Sequence, residues 1–265
     1  MPTTERRNMG RWTAFKPRGH FSYTSQSIKK QWARLHAADC VPLPDDADLL
    51  EAWTLFHNGY FEEACQLGLA LDGAGTTVAN KATCVYATLL EPDEPERLRL
   101  LQSACERATA HTLSAPKDPN AHYLLAYSLS RYSRGISVAQ ALAQGLGSRI
   151  KNALETAIAL QPRHADAHFA LGAFHADIID KVGPFIGNMT YGTKRETSLQ
   201  LFQSGFALHP HSPFGLIEYA AALLMLEGDT QHAQATKLYR QAAALKPLDA
   251  HHYLKISLAK NGVPG

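Results

Sequence analysis

No stretch of the sequence reaches the ~18 consecutive apolar residues that a membrane-spanning helix requires, so no membrane span is expected. The opening residues, Met1 to Arg11, carry charge without the apolar run that a secretory signal places behind it. Arg6-Arg7 is therefore not a twin-arginine export signal, and no lipoprotein-type cysteine stands near the start. Cys40, Cys65, Cys84 and Cys105 lie 25, 19 and 21 residues apart, with no CxxC pair. This spacing supports neither a zinc knuckle nor a thioredoxin-like redox motif, and isolated thiols on helical faces behave as small hydrophobes. A reducing, cytoplasmic location is expected. Charge of one sign is also scarce: 26 Lys and Arg against 24 Asp and Glu leave a net +2. That is too little to make nucleic acid or an acidic membrane the main partner.

Signatures of chemistry are equally thin. There is no phosphate-cradling glycine loop, no nucleophile elbow and no HExxH helix. The carboxylate pairs Asp45-Asp46 and Glu62-Glu63 are adjacent in sequence, so on a helix they point apart. No nucleophile, base and orienter share a recognisable spacing. Neither catalysis nor a cofactor nor a metal is expected. The one polar group that could argue otherwise, His175 with Asp177 and Lys181, needs convergence that only a fold can provide.

What the chain does have is Ala and Leu, both strong helix formers, in a repeating frame. Three segments end alike: Ala157-Ile-Ala-Leu-Gln-Pro162, Gly205-Phe-Ala-Leu-His-Pro210 and Ala242-Ala-Ala-Leu-Lys-Pro247. A weaker fourth ends at Pro116. A slot held by Ala104, Ile150, Ser198 or Ala235 stands 12 residues before each of these prolines. Small residues let two antiparallel helices approach, aromatics such as Phe202 and Tyr239 fill the gap to the next unit, and proline ends the helix. With His168-x2-Leu171-Gly172-x2-His175 as a first helix, the pattern resembles the tetratricopeptide repeat family. The resemblance implies an all-α fold, a right-handed superhelical stack of helix-turn-helix repeats, or α–α solenoid. Five units are expected at 45–76, 77–116, 119–162, 165–210 and 213–247, with a capping helix near 248–260. His164, His168 and His175 lie on one helical stripe, with Asp177 nearby, as metal ligands could, but His168 and His175 occupy the slots of packing aromatics.

The third and fourth units run longest against the 34-residue repeat length. The third carries an insertion across residues 134–147 and the fourth across residues 180–192, each between its two helices. In a solenoid such loops emerge on the same edge, so the two should lie side by side and could shape a pocket or simply pack on each other. Arg131, Tyr132 and Arg134 precede the first, and Lys181, Tyr191, Lys194 and Arg195 accompany the second. They could form a cationic, aromatic mouth or a solvated charged rim. Residues 118–247, above all these insertions, are similar to two further groups. One is the T-component family of TRAP transporters, whose repeats enclose an apolar passage. The other is the regulator of microtubule dynamics family, with long first helices and a Gly/Pro-containing loop.

The tetratricopeptide resemblance implies which residues face the concave groove. They are Trp53 and Phe56 in the first unit, Tyr123, Tyr127 and Arg131 in the third, Phe169 and Asp177 in the fourth, and Ile217 and Leu224 in the fifth. The groove is mostly apolar and lacks the Lys/Asn clamp that grips a peptide carboxylate in the family. Residues 1–44 stand outside the repeats. They mix Trp12, Phe15, Phe21, Tyr23 and Trp32 with Arg11, Lys16, Arg18, Lys29, Lys30 and Arg34, and residues 25–38 read as a helix. Such interleaving suits single-stranded nucleic acid or a strap across the solenoid, and near-neutrality favours the strap. The expected function is an interaction scaffold holding an unidentified protein, peptide or partner helix in the groove. The rival is a carrier of a small hydrophobic or amphipathic ligand, lined by Val182, Phe185, Ile186, Met189 and Tyr191.

Overall fold

The structure is a computed structural model and describes residues 12–15 and 21–262. Arg11, Lys16 and Arg18 of the basic and aromatic opening segment lie outside the described residues. Among the described residues all regular structure is helical. After α1 (Ser25–Leu35), the helices run as antiparallel pairs: α2 (Ala47–Asn58) with α3 (Phe61–Leu71), then α4 (Gly75–Leu89) with α5 (Glu94–Ser114). In the next pair, α6 (Pro119–Ser133), the short α7 (Val138–Ala143) stands before α8 (Leu146–Leu160). In the following one, α9 (Ala165–Val182), the short α10 (Pro184–Tyr191) stands before α11 (Arg195–Leu208). α12 (Pro213–Glu227) pairs with α13 (His232–Ala243), and α14 (Ala250–Asn261) closes the chain. The whole is a right-handed superhelical stack.

Local chemistry explains the punctuation. Each closing proline is followed by a polar residue that caps the next helix. The side chains of Asp118, Ser212 and Asp249 accept from backbone N–H groups of Asn120, Gly215 and His252 at 2.9, 3.0 and 2.7 Å. Pro119 and Pro213 open their helices at the position where a missing N–H removes nothing. Gly59 ends α2 with φ 92°, in the left-handed region. Between layers, close approach rests on absent side chains. Ser198 Oγ donates to the Gly172 carbonyl at 2.7 Å, and a Cβ on Gly172 would meet the Phe202 ring at 3.0 Å.

The concave face is filled by the chain itself. Trp32 of α1 packs edge-on against Trp53 with centroids 6.2 Å apart, and the His36 ring lies 4.8 Å from Trp53. The expected helix over residues 25–38 stops at Leu35, because the chain then uses its backbone elsewhere. The Ala38 and Asp39 carbonyls accept from Asp166 N–H at 3.1 Å and from Asn120 Nδ2 at 3.0 Å, and Trp32 Nε1 donates to the Val41 carbonyl at 2.9 Å. At the far end α14 comes back onto α2. Tyr23 Oη donates to the Leu248 carbonyl at 2.6 Å, and His57 Nδ1 lies 2.6 Å from Asp249 Oδ2. The superhelix thus closes into a ring.

Candidate functional site

Ring closure separates the sequence-derived groove residues into two groups. Trp53, Phe56 and Phe169 are wholly buried, the first two beneath α1 and α14 and the third among Phe202, Phe206 and Phe214. Tyr123 is also buried, with its ring 4.7 Å from His164. Ile217 and Leu224 are half-buried against the α12–α13 core. None of these six lines the cleft between the two insertions. Tyr127, Arg131, Asp177, Lys181 and Tyr191 do line it.

That cleft, of about 980 Å³ including its open mouth, lies where both insertions meet the stack. Its walls come from α6, α7, α8, α9 and α12, and its apolar lining includes Val138 and Leu142 of α7, Leu146 and Ile150 of α8, and Phe174 and Val182 of α9. α10 contributes Tyr191, whose ring covers Gly147, where a Cβ would stand 2.8 Å from it. Phe185, Ile186 and Met189 of α10 point outward instead, at 78%, 51% and 73% exposure. An eight-residue helix has one inward face. Gly187, tucked against Ile178 and Thr193, takes it, so the bulky residues on the other side meet solvent.

The cleft has a polar end. Arg131 donates to Glu218 Oε1 at 2.7 Å, and Arg134 reaches the other carboxylate oxygen at 4.0 Å. Burial alone would raise the Glu218 carboxyl, but Arg131, Arg134 and Lys255 outweigh it and hold it at about 2. The Arg131 guanidinium also stands 5.0 Å from the Tyr127 ring centroid. At the rim Lys181 pairs with Asp177 at 2.8 Å, and Arg195 pairs with Glu227. Lys194 is exposed, and its backbone N–H donates to His175 Nδ1 at 3.1 Å. His175 is buried, and burial pushes its pKa down to about 4. His175, Asp177 and Lys181 therefore do not converge on a shared point. Among the described residues no group of three or more His, Cys, Asp or Glu is placed to hold a metal ion.

Sequence reasoning passed over Glu218. The signal was present as a single carboxylate inside the apolar stretch Phe214-Gly-Leu-Ile-Glu-Tyr-Ala-Ala-Ala-Leu-Leu-Met225. It also passed over the acidic and basic residues that gather at the ring centre around the groove position Lys81, namely Asp39, Asp166, Asp249 and Lys255, which are widely separated in the chain.

Paired helices stacked in this way define a helical-repeat protein of the tetratricopeptide type. The crystal structure of a thermophilic tetratricopeptide protein from Thermus thermophilus superposes with a TM-score of 0.55 at 15% identity, covering 81% of this chain and 97% of that one. Within that class, the profile of the regulator of microtubule dynamics protein 1-3 family matches residues 61–200, just over half of the chain. The chain belongs to that family. No curated protein matches it in sequence.

Proposed function

We propose that the chain is a non-catalytic binding protein whose ligand site is the insertion cleft rather than the concave groove, and that the cleft takes a small amphipathic molecule. One observation carries the reading. The groove already holds Trp32, His36 and α14, whereas the cleft between α7, α8 and α9 is open, apolar and continuous with the Arg131–Glu218 pair. An apolar body would lie against Leu146, Ile150, Phe174 and Val182, and a polar end would face Arg131 and Arg134. Burying apolar surface supplies the affinity, and the few convergent polar groups set the orientation. In this reading the described part of residues 1–44 is a self-packing strap, and the repeat body belongs to residues 45–265. The unpaired thiols Cys40, Cys65, Cys84 and Cys105 suit a reducing compartment such as the cytoplasm.

The scaffold reading keeps one observation of its own. Phe185 and Met189 of α10, and Val138 and Leu142 of α7 at 54% and 53% exposure, leave apolar side chains exposed on both insertions. A partner helix laid on the insertions would cover such side chains.

Native mass spectrometry of gently purified protein tests both readings. Ala173 lines the cleft, so Ala173→Phe fills it without adding charge. A stoichiometric small-molecule adduct that Ala173→Phe loses supports the carrier reading. A bare wild-type chain that also fails to take up an apolar fluorescent probe at the cleft sinks it. Retained capture of a protein partner by Ala173→Phe, lost in Phe185→Asp, supports the scaffold reading.

A further inference from the structure

At the centre of the ring lies a second, smaller chamber, sharing Phe214 with the cleft and set behind the residues that follow α1. The side chains that matter there are Asp39, Lys81, Asp166, Asp249, His251 and Lys255. They come from the strap, α4, α9 and the α14 end of the chain, so only closure of the ring assembles them.

Part of this set is already answered. Asp39 pairs with Lys81 and lies 2.9 Å from His36 Nδ1. Asp249 lies 2.6 Å from His57 Nδ1 and accepts from the His252 N–H at 2.7 Å. What remains is an acid, a cation and a ring nitrogen without partners among the described residues. The Asp166 carboxyl lines the chamber on a half-buried residue, yet it accepts no hydrogen bond and joins no ion pair. Lys255 is 3% exposed and joins no ion pair; its ammonium stands 5.0 Å from the Phe214 ring centroid and 6.0 Å from that of Tyr127. Nε2 of His251 is buried and unpartnered. Buried polar groups are almost always satisfied, and an isolated buried charge is strongly unfavourable. An acid and a cation left open in one chamber, without pairing with each other, have the arrangement of a site awaiting a ligand.

We infer that this chamber is a second binding site, beside the cleft, and that it takes a small zwitterion carrying one carboxylate and one ammonium, as a free amino acid does. The carboxylate answers Lys255 and the ammonium answers Asp166. A lone carboxylate would pair with Lys255 but add negative charge beside Asp39, Asp166 and Asp249. A lone ammonium would leave Lys255 unanswered over its aromatic seat. The state of Asp166 agrees with the geometry. Burial first, and then Asp39, push its carboxyl up to about 7, so the chamber by itself holds the ionised form poorly and a bound ammonium relieves that.

Titration calorimetry with glycine and alanine as probes, and acetate and methylammonium as one-charge controls, decides the matter. The wild-type chain binds glycine or alanine and neither control. Lys255→Met and Asp166→Asn each weaken that binding by about thirtyfold or more. Both keep the helical far-UV signal and a cooperative unliganded melting transition, so that weaker binding is not loss of the fold. A purely structural pair of residues would give lower melting temperatures and no change in binding. Absence of binding by either probe, equal binding of acetate, or unchanged binding in both variants overturns the inference. If a variant fails to fold, the comparison of probes and controls on the wild-type chain still decides it.

Discussion

Single residues set the tolerances of this stack. The Phe169 ring lies against two glycines at once: a Cβ built on Gly205 or on Gly215 would stand 2.5 Å from it. Gly215→Ala therefore forces the ring to shift in a close-packed layer, and a loss of about 1–3 kcal/mol in denaturant unfolding is expected. A helical glycine with open space around it would instead gain from the same change, so an unaltered midpoint would show that the layer is loosely packed. Glu218 governs the acid side. Its carboxyl is depressed to about 2, so its contribution to stability is present above the usual glutamate value and is lost as pH falls from about 4.5 toward 2. Asp39 and Asp249 are depressed as well, Asp39 by Lys81 and Asp249 by the histidines around it, in both cases against the opposing effect of burial. Steep acid unfolding is expected. In Glu218→Gln the slope over that interval should be shallower by up to about 1.4 kcal/mol per pH unit, read from unfolding midpoints at successive pH values.

At the scale of elements, α1 is the piece whose removal tests the most. Trp32 is buried and touches Trp53, His36 and His57. Trp32→Ala should lower stability by about 3–5 kcal/mol. It should also open the apolar groove to a dye that reports exposed hydrophobic surface. Lost stability without dye binding would mean that the remaining segment still covers the groove. α7 and α10 show how far the sequence reaches at this scale. The insertions and their common edge were legible from unit length. The outward turn of Phe185, Ile186 and Met189 was not. In a helix as short as α10 the burial of Gly187 against α9, a contact between elements, decides which side faces in.

At the scale of the molecule, closure changes the meaning of the repeat pattern. The positions that the tetratricopeptide resemblance assigns to a binding groove are chemically as the sequence shows them, apolar and aromatic. Here Trp53 and Phe56 are core residues, because α14 returns to α2 and residues 32–41 run across the opening. The same closure brings Asp166 and Lys255 into one chamber although they are far apart in the chain. By itself the sequence determined the all-helical repeat, its proline and cap punctuation, the two insertions and the absence of a long apolar span. Each of these is a local matter of propensity, spacing and chain length. Only the tertiary structure decided which apolar face stays open, where the second insertion points and which buried charges meet. Those outcomes depend on how the stacked helix pairs accumulate rotation into a ring, a sum over many contacts that no single stretch of sequence contains.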